Sequence, residues 1–144
     1  MASSVPTAVP SAATTPTTST ATRTPAPTPI PTLQTTTIDA TVAPAGAISV
    51  KLAWQAPRFE PDQITAKAGT VVFFLRMSPD GSLANHNLAI GRKIHEVLAS
   101  SGFVQPTKSA VFTVTGLQAG TYTFWCQVPA HAANGMVGQL TITP

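Results

Sequence analysis

The sequence is poor in the groups that would brace or charge a small protein. It has one cysteine, Cys126, so an internal disulfide is excluded. Only 9% of its residues are charged, and eight lysines and arginines against five carboxylates leave a net charge of +3. That charge is too weak and too scattered for a nucleic-acid partner, and no long single-sign run marks a docking tail. Three histidines are too few for a second metal centre, which argues against a redox enzyme. Three dispersed methionines do not make an exchangeable metal-delivery cluster. No stretch is long and apolar enough to cross a bilayer. Met1 runs into Ala-Ser-Ser-Val-Pro without a basic start or an apolar h-region, so no signal peptide is visible. The expectation is a sequence that begins after a removed leader or membrane anchor.

What is present divides unevenly along the chain. Proline, serine and threonine crowd the first 44 positions, and most apolar and aromatic residues lie beyond them. Residues 1–44 read as a disordered Ser/Thr/Pro/Ala-rich linker, semi-extended and solvated. Ile30, Leu33 and Ile38 are too few there to repay the entropy of ordering. A spacer of this kind suits a protein tethered to a membrane. Residues 45–144 are long enough for one domain with a single core.

Within that domain short β-like runs alternate with turn chemistry. Residues 48–52 alternate apolar and polar, and residues 70–75 are almost continuously β-branched and aromatic. Residues 87–90, 110–114, 122–126 and 138–143 follow suit, with turn signals at Ala68-Gly69, residues 78–82 and Ala119-Gly120. The pattern predicts an all-β, Greek-key two-sheet β-sandwich. One segment departs from it: Ile94, Val97 and Leu98 stand at i, i+3, i+4 spacing and predict a helix over residues 92–101.

The chemistry concentrates near the end of the chain. A strand-like run delivers Cys126, and the loop after it carries His131 and Met136 at Cys-x4-His-x4-Met spacing. Taken singly, the cysteine reads as a small buried hydrophobe, the histidine as a loop residue and the methionine as core. A cysteine nucleophile would use His131 as base, but no oxyanion or orienting motif accompanies the pair. Taken together, thiolate, imidazole and thioether are soft or borderline donors that suit copper better than a hard cation. Zinc would want a stronger fourth donor than a thioether, which serves instead as the weak axial donor of a His2Cys copper site. The second histidine is His86, at the mouth of a strand in Asn85-His86-Asn87. Its competitor, His95, sits among Arg92, Lys93 and Glu96 and reads as solvated surface.

These residues resemble the cupredoxins, the blue copper proteins. The resemblance covers roughly residues 46–144. It is carried by Phe59-x-Pro61-x-x-Ile64, Ala68-Gly69-Thr70, His86-Asn87, Tyr122-x-Phe124-Trp125-Cys126, His131, Met136 and Gly138-x-Leu140. The ligand loop after a Ser/Thr/Pro-rich spacer is most like the auracyanin group. The resemblance implies His86, Cys126 and His131 as equatorial copper ligands and Met136 as axial. It implies that Asn87 ties the two ligand loops together and that its backbone amide donates to the thiolate. It further implies a type 1 copper protein, not an enzyme, that shuttles one electron between membrane-associated redox partners on the periplasmic or cell-surface side. Copper storage or delivery is the alternative. Redox partners would dock at the apolar patch of Pro129, Ala130, Ala132 and Ala133 around His131, with little dependence on salt, and the protein would act as a monomer. Trp125 stands where a tyrosine is often found, so a tyrosine-based remote electron path does not carry over.

Overall fold

A computed structural model of the chain describes residues 33–53, 57–79 and 83–144. The greater part of the expected linker, residues 1–32, and part of the expected loop at residues 78–82 lie outside the described residues. Among the described residues, ten strands build two five-stranded sheets. The first sheet has the order β1 (Leu33–Ile38), β8 (Ser109–Leu117), β5 (Gly69–Met77), β2 (Ile48–Ala53), β3 (Arg58–Glu60). The second has the order β4 (Gln63–Lys67), β10 (Val137–Thr143), β9 (Gly120–Trp125), β6 (Ala89–Gly91), β7 (Val97–Ser100). β2 runs parallel to β5 and β4 parallel to β10, and the other pairs are antiparallel. The chain passes from one sheet to the other between β3 and β4, β4 and β5, β5 and β6, β7 and β8, and β8 and β9. The expected two-sheet β-sandwich is therefore the fold.

The core lies between the sheets, and alternation puts it there. In β8, Ala110, Phe112 and Val114 are buried while their neighbours are half-exposed. In β10, Gly138, Leu140 and Ile142 alternate in the same way. Phe73 stacks on Phe112 within the first sheet, with ring centroids 5.9 Å apart. Phe59 meets Phe124 edge to face at 5.0 Å, joining the first sheet to the second. Gly138 is required for this packing, since a Cβ there would overlap the Phe124 ring.

Two expectations are corrected. Residues 92–101 are not helical: a turn, closed by the Glu96 N–H donating to the Lys93 carbonyl at 3.1 Å, leads into β7. His95 holds a positive φ of 73°, which interrupts any helix, and Gly91 approaches the Glu96 carbonyl so closely that a Cβ would overlap it. The helical spacing of Ile94, Val97 and Leu98 is incidental, because Val97 is 46% exposed. The linker, in turn, does not extend to residue 44. Leu33–Ile38 form β1, paired in register from Leu33↔Thr115 to Ile38↔Ala110. All six side chains are exposed, so the strand forms without a core. Main-chain pairing along the open edge of β8 holds it, and Thr35, Thr36 and Thr37 favour the extended backbone.

Direction matters for the site. β5 ends at Met77, and the segment after it leads to His86. Arg76 pairs with Ser109 and Thr70 with Thr115, so Leu33, opposite Thr115, enters at the other end of the first sheet.

Candidate metal centre

His86, Cys126, His131 and Met136 come from two loops at one end of the sandwich. His86 is fixed by a two-way bridge to Val104: its N–H donates to the Val104 carbonyl at 3.1 Å, and its carbonyl accepts from the Val104 N–H at 2.7 Å. Cys126 directly follows β9, so the sheet sets its position. The loop then folds back on itself. The Cys126 N–H donates to the Met136 carbonyl at 3.1 Å and the Met136 N–H to the His131 carbonyl at 2.9 Å. Ala130 and Gly135 take positive φ values of 66° and 103° to make the bend, an ordinary conformation only for the glycine. The ten residues after the cysteine are thus a main-chain clasp that returns the histidine and the methionine to the sulfur.

The donor atoms converge. His86 Nδ1 lies 3.8 Å and His131 Nδ1 3.7 Å from Cys126 Sγ. Met136 Sδ is 3.1 Å from His86 Nδ1, and the imidazole rings are 4.9 Å apart, centroid to centroid. The two nitrogens and the thiol sulfur all lie within 4.8 Å of one another. Donors roughly 2.0–2.3 Å from one ion and about 120° apart stand ~3.7 Å from each other, so this cluster fits a single metal. His86 and Met136 are fully buried and Cys126 nearly so, while His131 keeps 7% of its surface. A dry pocket of two imidazoles, one thiol and one thioether has no carboxylate, which disfavours calcium or magnesium and favours copper.

Burial and main-chain donors act on the thiol in opposite directions. Burial pushes the Cys126 thiol above its ordinary range, and the backbone N–H groups of Asn87 and Val128, donating to the sulfur, pull the other way. Burial also lowers His131, keeping its imidazole neutral and available as a ligand. Around the donors runs a polar lattice. Asn87 Oδ1 accepts from the Gln127 N–H at 2.7 Å, and Asn87 Nδ2 donates to Gln127 Oε1 at 2.7 Å and to Ser100 Oγ at 3.1 Å. Ser100 Oγ donates in turn to Gln127 Oε1 at 2.9 Å. Asn87 follows His86 and Gln127 follows Cys126, so one side-chain amide locks the two loops. Sequence reasoning missed Gln127, Val128 and Ser100. The Val128 contribution is a main-chain amide that carries no sequence signal, and Ser100 fell in the segment read as helix.

His95 is exposed and does not belong to the donor cluster. It lines a surface depression of about 340 Å³ together with Val97, Trp125 and Pro129. Trp125, 1% exposed, covers the second sheet beside Cys126. Pro129, Ala130 and Ala133 are exposed around His131 and Ala132 is half-buried. Two further exposed apolar residues, Leu83 (91%) and Phe103 (53%), lie near His86 and Val104 in the chain and were not foreseen.

A β-sandwich with a His–Cys–His–Met cluster at one end defines a blue copper type of domain. The family model for copper binding proteins of the plastocyanin/azurin family matches residues 47–143, and the chain belongs to that family. Copper is its cofactor, and His86, Cys126, His131 and Met136 form the type 1 arrangement. The chain is 43% identical over 54 residues to the copper-resistant cuproprotein CopI of Pseudomonas aeruginosa, covering 38% of this chain and 30% of CopI. It is 38% identical over 53 residues to rusticyanin of Acidithiobacillus ferrooxidans, covering 34% of this chain and 28% of that protein. The chain thus spans less than a third of the length of these curated relatives. Among solved structures, auracyanin from Roseiflexus castenholzii superposes with a TM-score of 0.58 at 20% identity, over 71% of this chain and all of that one. That likeness is one of fold.

Proposed function

We propose that the protein is a one-electron carrier in which His86, Cys126 and His131 would hold a copper ion, with the Met136 thioether as a weaker fourth donor. The observation that carries this is the meeting of both imidazole nitrogens at 3.7–3.8 Å from a single buried sulfur. Bound copper supplies exchange between Cu(I) and Cu(II) with no bond made or broken in a substrate. The chain supplies the rest. The clasp of residues 126–136 fixes the donors in a compromise suited to both oxidation states, so little rearranges on transfer. Burial excludes water, and the amides of Asn87 and Val128 bear on the sulfur and so on the reduction potential. Asn87 acts in the outer shell as the tie between the ligand loops.

His131 is the route in and out. It keeps 7% of its surface against 1% for Cys126 and none for His86 and Met136, inside a collar of Pro129, Ala130 and Ala133. Redox proteins dock there through a small apolar contact, which gives weak, fast association. Glu60 pairs with Lys51 at 3.0 Å and with Arg58, so its carboxylate is already balanced by two cations. The protein works as a monomer on the extracytoplasmic side, between membrane-associated partners. A spacer over the residues before β1 tethers it to a membrane, and Leu33 enters at the sheet end remote from His86, so such a tether would leave the ligand end free to face a partner.

A second reading, copper storage or delivery, draws on the likeness to a protein named as copper-resistant. Full burial of three of the four donors opposes rapid metal exchange and favours the carrier. Titrating the metal-free protein with Cu(II) tests both. The carrier develops an intense absorption near roughly 600 nm, from the copper–thiolate bond, and Cys126→Ser abolishes it. Copper uptake without that band, or rapid surrender of the ion to a weak chelator, would favour the second reading.

A further inference from the structure

β1 and β7 are the outermost strands of opposite sheets. Each leaves main-chain groups facing away from its sheet, and such groups need partners. At Ser100 the partner comes from the other sheet: the Ser100 N–H donates to Gln34 Oε1 at 2.9 Å. Nothing in the core demands this contact, because Gln34 and its neighbours in β1 are exposed. Ser100 is, however, no ordinary edge residue. Its hydroxyl accepts from Asn87 Nδ2 at 3.1 Å and donates to Gln127 Oε1 at 2.9 Å. Those two residues are the chain neighbours of His86 and Cys126, and Asn87 also donates its backbone amide to the sulfur.

We propose that Gln34 is a positioning residue of the copper site, acting through Ser100 on the Asn87–Gln127 lock. One hydrogen bond from the N-terminal strand fixes the Ser100 main chain, and that fixes where its hydroxyl sits between the two amides. Without it, the main chain at Ser100 is left with its β6 pairing, which shifts register between Ile90 and Gly91, and the adjoining Ser101–Leu88 bonds. The hydroxyl then wanders, and the lock loses its third corner. The strand that joins the spacer to the sandwich is in this way mechanically connected to the ligands. The inference rests on the copper reading above and goes beyond it.

The test compares copper-loaded wild type, Gln34→Ala, Gln34→Glu and the control Leu33→Ala, all as the full chain. Two quantities are read: amide exchange at Ser100 in the Cu(I) state, and the rate at which copper passes to a strong Cu(I) chelator. Gln34→Ala is expected to speed Ser100 exchange about three- to tenfold, the worth of one net hydrogen bond. Copper release should quicken about threefold, less than the roughly tenfold or more of a group that touches the ligands. Gln34→Glu keeps an acceptor oxygen and should restore both near neutral pH, and Leu33→Ala should change neither. Faster exchange with unchanged copper release overturns the proposal, as does equal behaviour of Gln34→Ala and Gln34→Glu. Wild type that never develops the thiolate band would instead overturn the copper reading, and the inference with it.

Discussion

The loop of residues 126–136 and the strand of residues 33–38 are both short segments tied by main-chain hydrogen bonds, yet they are built on opposite principles. The loop turns three side chains inward and buries them. The strand buries none and holds on through main-chain pairing with β8 and the one bond from the Ser100 N–H to Gln34 Oε1. The metal donors lie where buried side chains converge, and the proposed coupling from β1 runs through exposed polar side chains instead. The difference teaches that a segment can matter to a metal site without contributing a core residue.

The comparison is broken most sharply at its inner pole. Phe112→Ala, which empties the middle of the stacked aromatic pair, is expected to cost about 3–5 kcal/mol in denaturant unfolding. Thr36→Ala, in the middle of β1, should cost within about 0.5 kcal/mol in the same measurement. Equal losses would mean that β1 is part of the core after all. Between these lies Asn87→Ala, which removes the loop lock: copper affinity is expected to fall by about 10–100-fold while the blue colour survives. Chelator competition followed at the absorption band reads it. Met136→Leu should likewise keep the colour and raise the reduction potential, because a weak donor to Cu(II) is lost.

The smallest expected effect is in pH. In metal-free protein, burial raises the Cys126 thiol, so its contribution to stability is present below the ordinary thiol value of 9.0 and fades as pH climbs through the raised folded value. Burial lowers His131, so its contribution is present above the ordinary imidazole value of 6.5 and is lost as pH falls through the lowered one. Thermal melting should thus show a broad plateau between those values. Copper loading, which needs the thiolate, should release a proton at neutral pH, as pH-stat titration can record.

Much of this was legible in the residues. Alternation in β8 and β10 marks half-buried strands because burial is what period two records. The donor set was legible because a cysteine, a histidine and a methionine at fixed spacing after a strand have few other uses. β1 was not, since a strand with six exposed side chains leaves no hydrophobic trace, and threonines among prolines read as spacer. β7 was misread because the i, i+3, i+4 spacing of Ile94, Val97 and Leu98 mimics a helical face, and the Gly91 contact and the His95 backbone reveal the hairpin. The Asn87 amide was expected from the family resemblance, whereas the Val128 amide shows the general limit: main-chain donors are positioned by the fold and have no letter of their own.

The central claim is that one sulfur and two imidazoles grip the same ion. X-ray absorption at the copper edge of the loaded protein measures this directly. The result expected is one short copper–sulfur distance with two nitrogen neighbours, and loss of the short sulfur in Cys126→Ser. Copper surrounded only by nitrogen and oxygen in the wild type would contradict it.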